Sequence, residues 1–275
     1  MPSSESWKWR KFRILAIFFA ALCGYVDIIT YIRFTVFATI CTGNTILLVR
    51  ALVVSLDVPA YQQRMLIDTP QPAGFYLMTI VSFMFGNTVF FLVDKAYPNR
   101  AGVRLAPFIA VILPAVDILD ARYGINDPLT RHWPSWSILC TAGVFGCVNA
   151  LQTTGTVCVY NAITGHLAKV SLGFATLLSG GCDKGFLYKT MLSVYAVIGF
   201  AAGGVLGAFM VVHGGWWLNY ALVPAGPAVA ILAVIHDHLK QRLTISKGWM
   251  QRKDKSESSD DDESIEEDSD CTLEK

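Results

Sequence analysis

Gly24-Tyr25-Val26-Asp27, then fourteen mostly apolar residues, then Thr42-Gly43-Asn44: this pattern returns as Gly146-Cys147-Val148-Asn149, the same gap, and Thr164-Gly165-His166. The two copies are offset by 122 residues throughout. Four of the twenty-one aligned positions are identical, and among the others Asp27 pairs with Asn149 and Asn44 with His166, polar with polar. The matches fall on the Gly and polar residues that an apolar helix otherwise avoids. They predict a duplicated unit with the same interruption in each copy.

The surroundings of both copies are lipid-like. The 275 residues are 53% apolar and 16% charged, whereas charged residues make up about a quarter of a soluble domain. Eleven of the twenty-one acids lie in residues 254–275, which leaves ten against twenty Lys and Arg in residues 1–253. Sparse basic charge set in short loops between long apolar runs reads as membrane topology, not as a nucleic-acid face. The seven cysteines are odd in number, form no Cys-x-x-Cys, and mostly sit inside apolar runs. They read as small packing residues and not as a disulfide or metal framework.

The apolar runs predict an all-α, polytopic bundle with about six crossings. A basic N-terminus, residues 1–13, precedes a first membrane repeat at 14–120. An inter-repeat loop at 121–135 leads to a second repeat at 136–238, and a tail at 239–275 is basic, then acidic and low in complexity. The apolar run from Ile14 continues to Ile32, which favours a retained span over a cleaved secretory signal. After each Thr-Gly the apolar run is short: Thr45 to Leu56 gives only about 18 Å of helix against a hydrocarbon core of about 30 Å. Each copy is therefore expected to hold a broken or re-entrant helix, with Thr42 as an N-cap. Counting each break once gives six crossings; counting it as two full spans gives eight. Six crossings put Lys95, Arg100, Arg104, Lys184 and Lys189 in cytosolic loops, with both termini cytosolic. Three crossings per half would make the halves inverted, a transporter architecture. Gly199, Gly203 and Gly207 lie at four-residue spacing and offer a close helix–helix seam, including one with a second copy of the chain.

Gly-Tyr-Val-Asp at 24–27, Val-Phe-Ala-Thr at 36–39 and Thr-Gly-Asn at 42–44 resemble the YoaK-like family, the domain-of-unknown-function 1275 (DUF1275) family. Gly146, Asn149, Thr164 and Gly165 resemble its second signature, and the resemblance covers roughly residues 13–238. Cys147-Val148 and His166 depart from that signature. The resemblance implies an integral membrane protein; it supplies no substrate and no reaction.

Asp27 falls about mid-span, where a carboxylate is costly and marks a candidate functional group that could couple proton movement to transport. The bland alternative is a hydrogen-bonded contact between helices. Helix N-termini at Thr42-Gly43-Asn44 and Thr164-Gly165-His166 could receive an anionic or carbonyl group. The expected solute-binding set is Asp27, Thr42, Gly43, Asn44, Asn149, Gln152, Thr164, Gly165 and His166. Arg33 and Lys169 are expected to snorkel, with pairing to Asp27 as the sharper alternative. Asp117 and Asp120 are expected to mark the outer end of their span. Ser258, Ser259 and Ser264 have acids three residues on and are phosphorylation candidates.

No catalytic motif, phosphate loop, dinucleotide fingerprint or metal-ligand spacing is present, so neither a cofactor nor a metal is expected. His236-Asp237-His238 is too tightly spaced for a helix-face pair. The expected function is a small-solute transporter or channel in a lipid bilayer. Its rivals are an intramembrane enzyme acting on a lipid and a non-catalytic scaffold with a regulatory acidic tail.

Overall fold

A computed structural model describes residues 4–55, 71–123, 136–154, 163–179 and 184–242. Among them all regular structure is helical. In chain order these are α1 (Ser4–Phe34), α2 (Cys41–Ser55), α3 (Ala73–Ala96) and α4 (Ala101–Tyr123), then α5 (Trp136–Thr154), α6 (Ile163–Leu178) and α7 (Lys184–His213). A 3-10 turn (Gly215–Tyr220) leads into α8, residues 225–242. Residues Met1–Asp237 form one compact unit, and His238 begins a second, of which the end of α8 is described. The acidic tail with Ser258, Ser259 and Ser264 lies outside the described residues, as does the inter-repeat loop from 124 to 135.

Five helical stretches are long and apolar enough to cross a bilayer: Arg13–Phe34, Ala73–Ala96, Ala101–Arg122, Thr190–His213 and Trp217–Arg242. The chain is an integral membrane protein. α5 is less apolar because it carries Gly, Asn149 and Gln152, but its 19 residues still make about 28 Å of helix. α2 and α6, at 15 and 16 residues, reach only about 22–24 Å. The short helices thus begin at the two Thr-Gly motifs, as the sequence predicts. Thr42 is not an N-cap, however. α2 already starts at Cys41, and Thr42 stands exposed inside the first turn. The last apolar stretch opens with the 3-10 turn, and its α-helix starts only after Pro224. Proline suits the beginning of a helix, where its missing N–H has no partner to lose.

Glycines set how these helices meet. On the α1–α7 seam, a Cβ on Gly24 would overlap the Phe200 carbonyl, and one on Gly203 would overlap the Ala21 carbonyl. On the α3–α5 seam, a Cβ on Gly146 would overlap the Phe83 carbonyl, and one on Gly86 the Gly143 carbonyl. Adding 122 converts Gly24 and Ala21 into Gly146 and Gly143; subtracting 117 converts Phe200 and Gly203 into Phe83 and Gly86. The same backbone-to-backbone contact is therefore built twice. In lipid, where apolar surface gains little by leaving the solvent, such close approach is the main source of helix association. Gly24 and Gly146, the first residues of the repeated motif, serve this packing. Gly199, Gly203 and Gly207 do the same from α7, against Ile17, Ala21 and Tyr25 of α1. The stripe that the sequence offered to a second copy is filled from within the chain.

The contacts also give relative directions. Ile17, Ala21 and Tyr25 meet Gly199, Gly203 and Gly207 in ascending order, so α1 and α7 run parallel. Leu139, Gly143 and Asn149 meet Ser82, Gly86 and Asn87, so α5 and α3 run parallel too. Gly102 meets Ala233 while Gly226 meets Ile109 and Pro114, so α4 and α8 run antiparallel. Further, α2 packs on α3 and α6 on α7. Each half thus lends its first helix to the other half's third helix, and the halves interleave instead of forming separate lobes.

Gly24→Leu and Gly146→Leu each place a side chain where a carbonyl stands. Overpacking of this kind should cost about 2 kcal/mol or more. Thermal melting in detergent should drop by about 5 °C or more for each. Gly74, whose Cβ would meet nothing within 4 Å, should tolerate the same change with an unaltered melting temperature.

Candidate functional site

The break after α1 begins with strain. Thr35 has φ +55°, a left-handed conformation that a β-branched residue rarely adopts. Its N–H makes the last helical bond of α1, to Tyr31 O at 2.7 Å, and the chain then leaves the helix until Cys41. Backbone groups freed inside lipid must find partners within the protein. Two side chains supply them. The Asp27 carboxylate accepts the Thr39 N–H at 2.8 Å and the Thr39 hydroxyl at 2.5 Å. The Asn44 amide accepts the Phe37 N–H at 2.9 Å and donates to the Phe37 carbonyl at 2.6 Å. Asp27 and Asn44 are 1% and 2% exposed. The helix before the break and the helix after it each hold the segment between them. Phe37 stacks on Tyr31 with ring centroids 4.8 Å apart. Its ring also lies over Gly43, where a Cβ would come within 2.6 Å of it. Gly43 makes room for an aromatic ring.

Asp27 has no Lys or Arg partner among the described residues. Both of its oxygens are satisfied by donors that carry no charge, so a full negative charge there would lack a counter-ion. Burying a charge in that condition is costly. A proton or a cation would remove the cost.

Arg33 lies six residues further along α1 and does not pair with Asp27. It does not snorkel either; its side chain is fully buried. Its guanidinium donates to Asp117 at 2.6 Å and to Asp120 at 3.0 Å. Asp117 also accepts the Leu222 N–H at 2.8 Å, and nearby the Tyr25 hydroxyl donates to the Ala221 carbonyl at 2.7 Å. The C-terminal ends of α1 and α4 and the turn before α8 therefore meet at one charged knot. Asp117 and Asp120 are structural partners inside it and not mere markers of a span end. Their three-residue spacing puts both on one face of α4, which is the signal that could have matched them to a buried Arg.

The second half uses different chemistry. Asn149, the counterpart of Asp27, donates to Asn87 Oδ1 at 3.0 Å and so bridges α5 to α3. Gln152 and His166, the counterpart of Asn44, are both buried. Thr164 and Gly165 lie in the first turn of α6; their side-chain surroundings, and the second break at 155–162, lie outside the described residues. Thr39 and Phe37 are the site residues that the sequence reading did not select. Lys169 is exposed. At the other end of α4, Asp237 accepts the Val103 N–H at 2.9 Å and neutralises a helix start. His236 is buried beside it and His238 is exposed. No cluster of three metal-ligating side chains occurs among the described residues.

The family model described as "Protein of unknown function (DUF1275)" matches residues 15–235. No curated protein and no solved structure matches the chain.

Removing one member of a buried ion pair strands the other. Arg33→Leu should therefore lower stability by about 3–5 kcal/mol, read as a shift in denaturant midpoint in mixed micelles. Arg104→Leu removes an exposed cation stacked 4.8 Å over Tyr97 and should cost about 1 kcal/mol or less.

Proposed function

We propose, on the premise that the chain belongs to the DUF1275 family, that this integral membrane protein is a small-solute transporter whose site forms at its interrupted helices. One observation carries the reading: a buried mid-span carboxylate, Asp27, has no Lys or Arg partner among the described residues and uses both oxygens to hold Thr39 in a helix break. A group placed this way couples two events. Protonation of Asp27, or its pairing with a cationic group of a solute, weakens the bonds to Thr39, and the break is then free to rearrange. Discontinuous helices with a titratable or cation-seeking group at their centre are how many transporters link binding to movement.

The helix directions support an inverted repeat of three crossings per half, with α5 as the sixth crossing. α1 and α4 meet at their C-terminal ends through Arg33, so they run the same way. α3 and α4 are joined by a four-residue turn, residues 97–100, so they run oppositely, and α5 follows α3. The first helices of the two halves then point in opposite directions. An eight-crossing chain would make α4 and α8 parallel, against the contacts between them. The same directions bring the start of α1 and Asp237 of α8 to one side.

The interleaved packing gives the moving parts. One group is α1, α6 and α7; the other is α2, α3 and α5. The chain passes from the first group to the second at the break before α2, and back again at the break before α6. The break before α2 is thus a hinge as well as a binding element. Asn44, Asn149, Gln152 and His166 are the further polar side chains that this reading assigns to the site, and Thr42 contributes backbone in the first turn of α2.

Proteoliposomes loaded with pyranine test the reading. Amines, amino acids and polyols are added outside in turn, and solute-driven proton movement is recorded. At least one class should give a signal that Asp27→Asn lowers by about tenfold or more, a barrier change of about 1.4 kcal/mol, while the variant still elutes as a folded species. Thr39→Val should alter the rate without abolishing it. Equal flux in wild type and Asp27→Asn for every transported solute would overturn the proposal.

A further inference from the structure

Two buried polar side chains stand unanswered at the start of α3. Gln71 is 3% exposed and Tyr76 0%. Neither the Gln71 amide, at Oε1 or Nε2, nor the Tyr76 hydroxyl has a hydrogen-bond partner among the described residues. Burying such groups unpaired is costly, and it calls for a ligand, an ion or a water to meet them. Pro72 is the N-cap of α3, so Gln71 precedes the cap and Tyr76 is the fourth helical residue. Those two positions lie side by side at a helix start, where a pair of apolar residues ordinarily packs. Here the pair is polar. We infer that the start of α3 binds a phosphate group.

The surroundings favour an anion. Pro72 makes no side-chain cap bond, and no acid lies in the first turn. The N–H groups of Ala73 and Gly74 have no partner within the helix, and the positive end of a 24-residue helix lies beside them. Arg50, half-buried on α2, and Tyr31 of α1 are within electrostatic reach of the Tyr76 hydroxyl. Pro72 and Gly74 are exposed, and a Cβ on Gly74 would meet nothing within 4 Å. Open space therefore adjoins the same turn and gives a way in.

The donors and acceptors narrow the anion further. The Tyr76 hydroxyl, Gln71 Nε2 and the backbone N–H groups can donate, but Gln71 Oε1 can only accept. A carboxylate has no hydrogen to give it. Hydrogen phosphate keeps an O–H beside its acceptor oxygens, and so does a singly protonated phosphate monoester such as the head of phosphatidic acid. Free phosphate and that lipid present the same group. Tyr31 also stacks on Phe37, so the site borders the break, while Asp27 and Asn44 take no part in it. This inference does not depend on the transport reading.

The test melts the full chain in an uncharged detergent at rising phosphate concentration, with ionic strength held constant by sodium chloride. The melting temperature should rise and saturate, as it does when a ligand binds only the folded state. Acetate should raise it less. Tyr76→Phe and Gln71→Leu each remove a group that has no partner, so without phosphate they should melt no lower than wild type. With phosphate, each should bind about tenfold more weakly or worse, since a bond to a charged group is lost. Gly74→Leu fills the open space and should abolish the rise; Lys169→Gln, on the exposed face of α6, should leave it intact. The same series in phosphatidylcholine nanodiscs with and without phosphatidic acid separates the sources. A rise with the lipid and none with free phosphate, lost in the same variants, assigns the site to a headgroup. No saturable rise with either source, an equal rise with acetate, or a rise unchanged in both Tyr76→Phe and Gly74→Leu would each overturn the proposal.

Discussion

A helix cannot stop inside a bilayer without giving its unpaired backbone groups new partners. That requirement governs the middle of this protein. α1 ends at a strained Thr35, and the segment before α2 is held from both sides, by Asp27 through Thr39 and by Asn44 through Phe37. Each of these side chains replaces bonds that a continuous helix would have made for itself. Gly43 and Tyr31 complete the arrangement by seating the Phe37 ring. Asp27 and Asn44 thus act as a set, and losing either would leave buried donors or acceptors of the break without partners. The same set places a carboxylate where its charge state bears directly on the geometry of the break.

Around that centre, two glycine seams supply most of the close contact between long helices. They repeat the same glycine-to-carbonyl contacts at corresponding positions, yet neither joins helices of the same half. The chain crosses from the helices packed around α7 to those packed around α3 between α1 and α2. The charged knot of Arg33, Asp117 and Asp120 ties α1 to α4 and to the turn at Leu222. A buried pair of this kind adds little net stability over an apolar contact, but it specifies one arrangement strongly because every alternative strands a charge.

The two copies of the motif have diverged in chemistry while keeping their packing. Gly24 and Gly146 remain, because a side chain in either would strike a carbonyl. Asp27 and Asn44 correspond in sequence to Asn149 and His166, so one half carries an acid and the other a neutral amide at the same register. Such asymmetry within a duplicated frame lets one half hold charge while the other supplies packing and hydrogen bonds.

Much of this was legible in the amino-acid sequence. Apolar run lengths set the spans, and the shortness of the runs after Thr42-Gly43 and Thr164-Gly165 marked the interrupted helices, because span length is a local property measured against a fixed bilayer thickness. The mid-span position of Asp27 was readable for the same reason. Partner choice was not. Whether Arg33 snorkels, meets Asp27 or meets Asp117 and Asp120 depends on which helices lie side by side, and nothing local to Arg33 encodes that. The glycine stripe on α7 announced a close seam but could not say whose backbone would fill it. Thr42 looked like a cap, and Asn44 like a free polar liner, because one-dimensional spacing does not show where the backbone turns. Chain order set the elements and their lengths; only the three-dimensional contacts decided the pairings, since in lipid these follow from shape and hydrogen-bond geometry between helices distant in the chain, and every apolar surface is otherwise equally at home in the solvent.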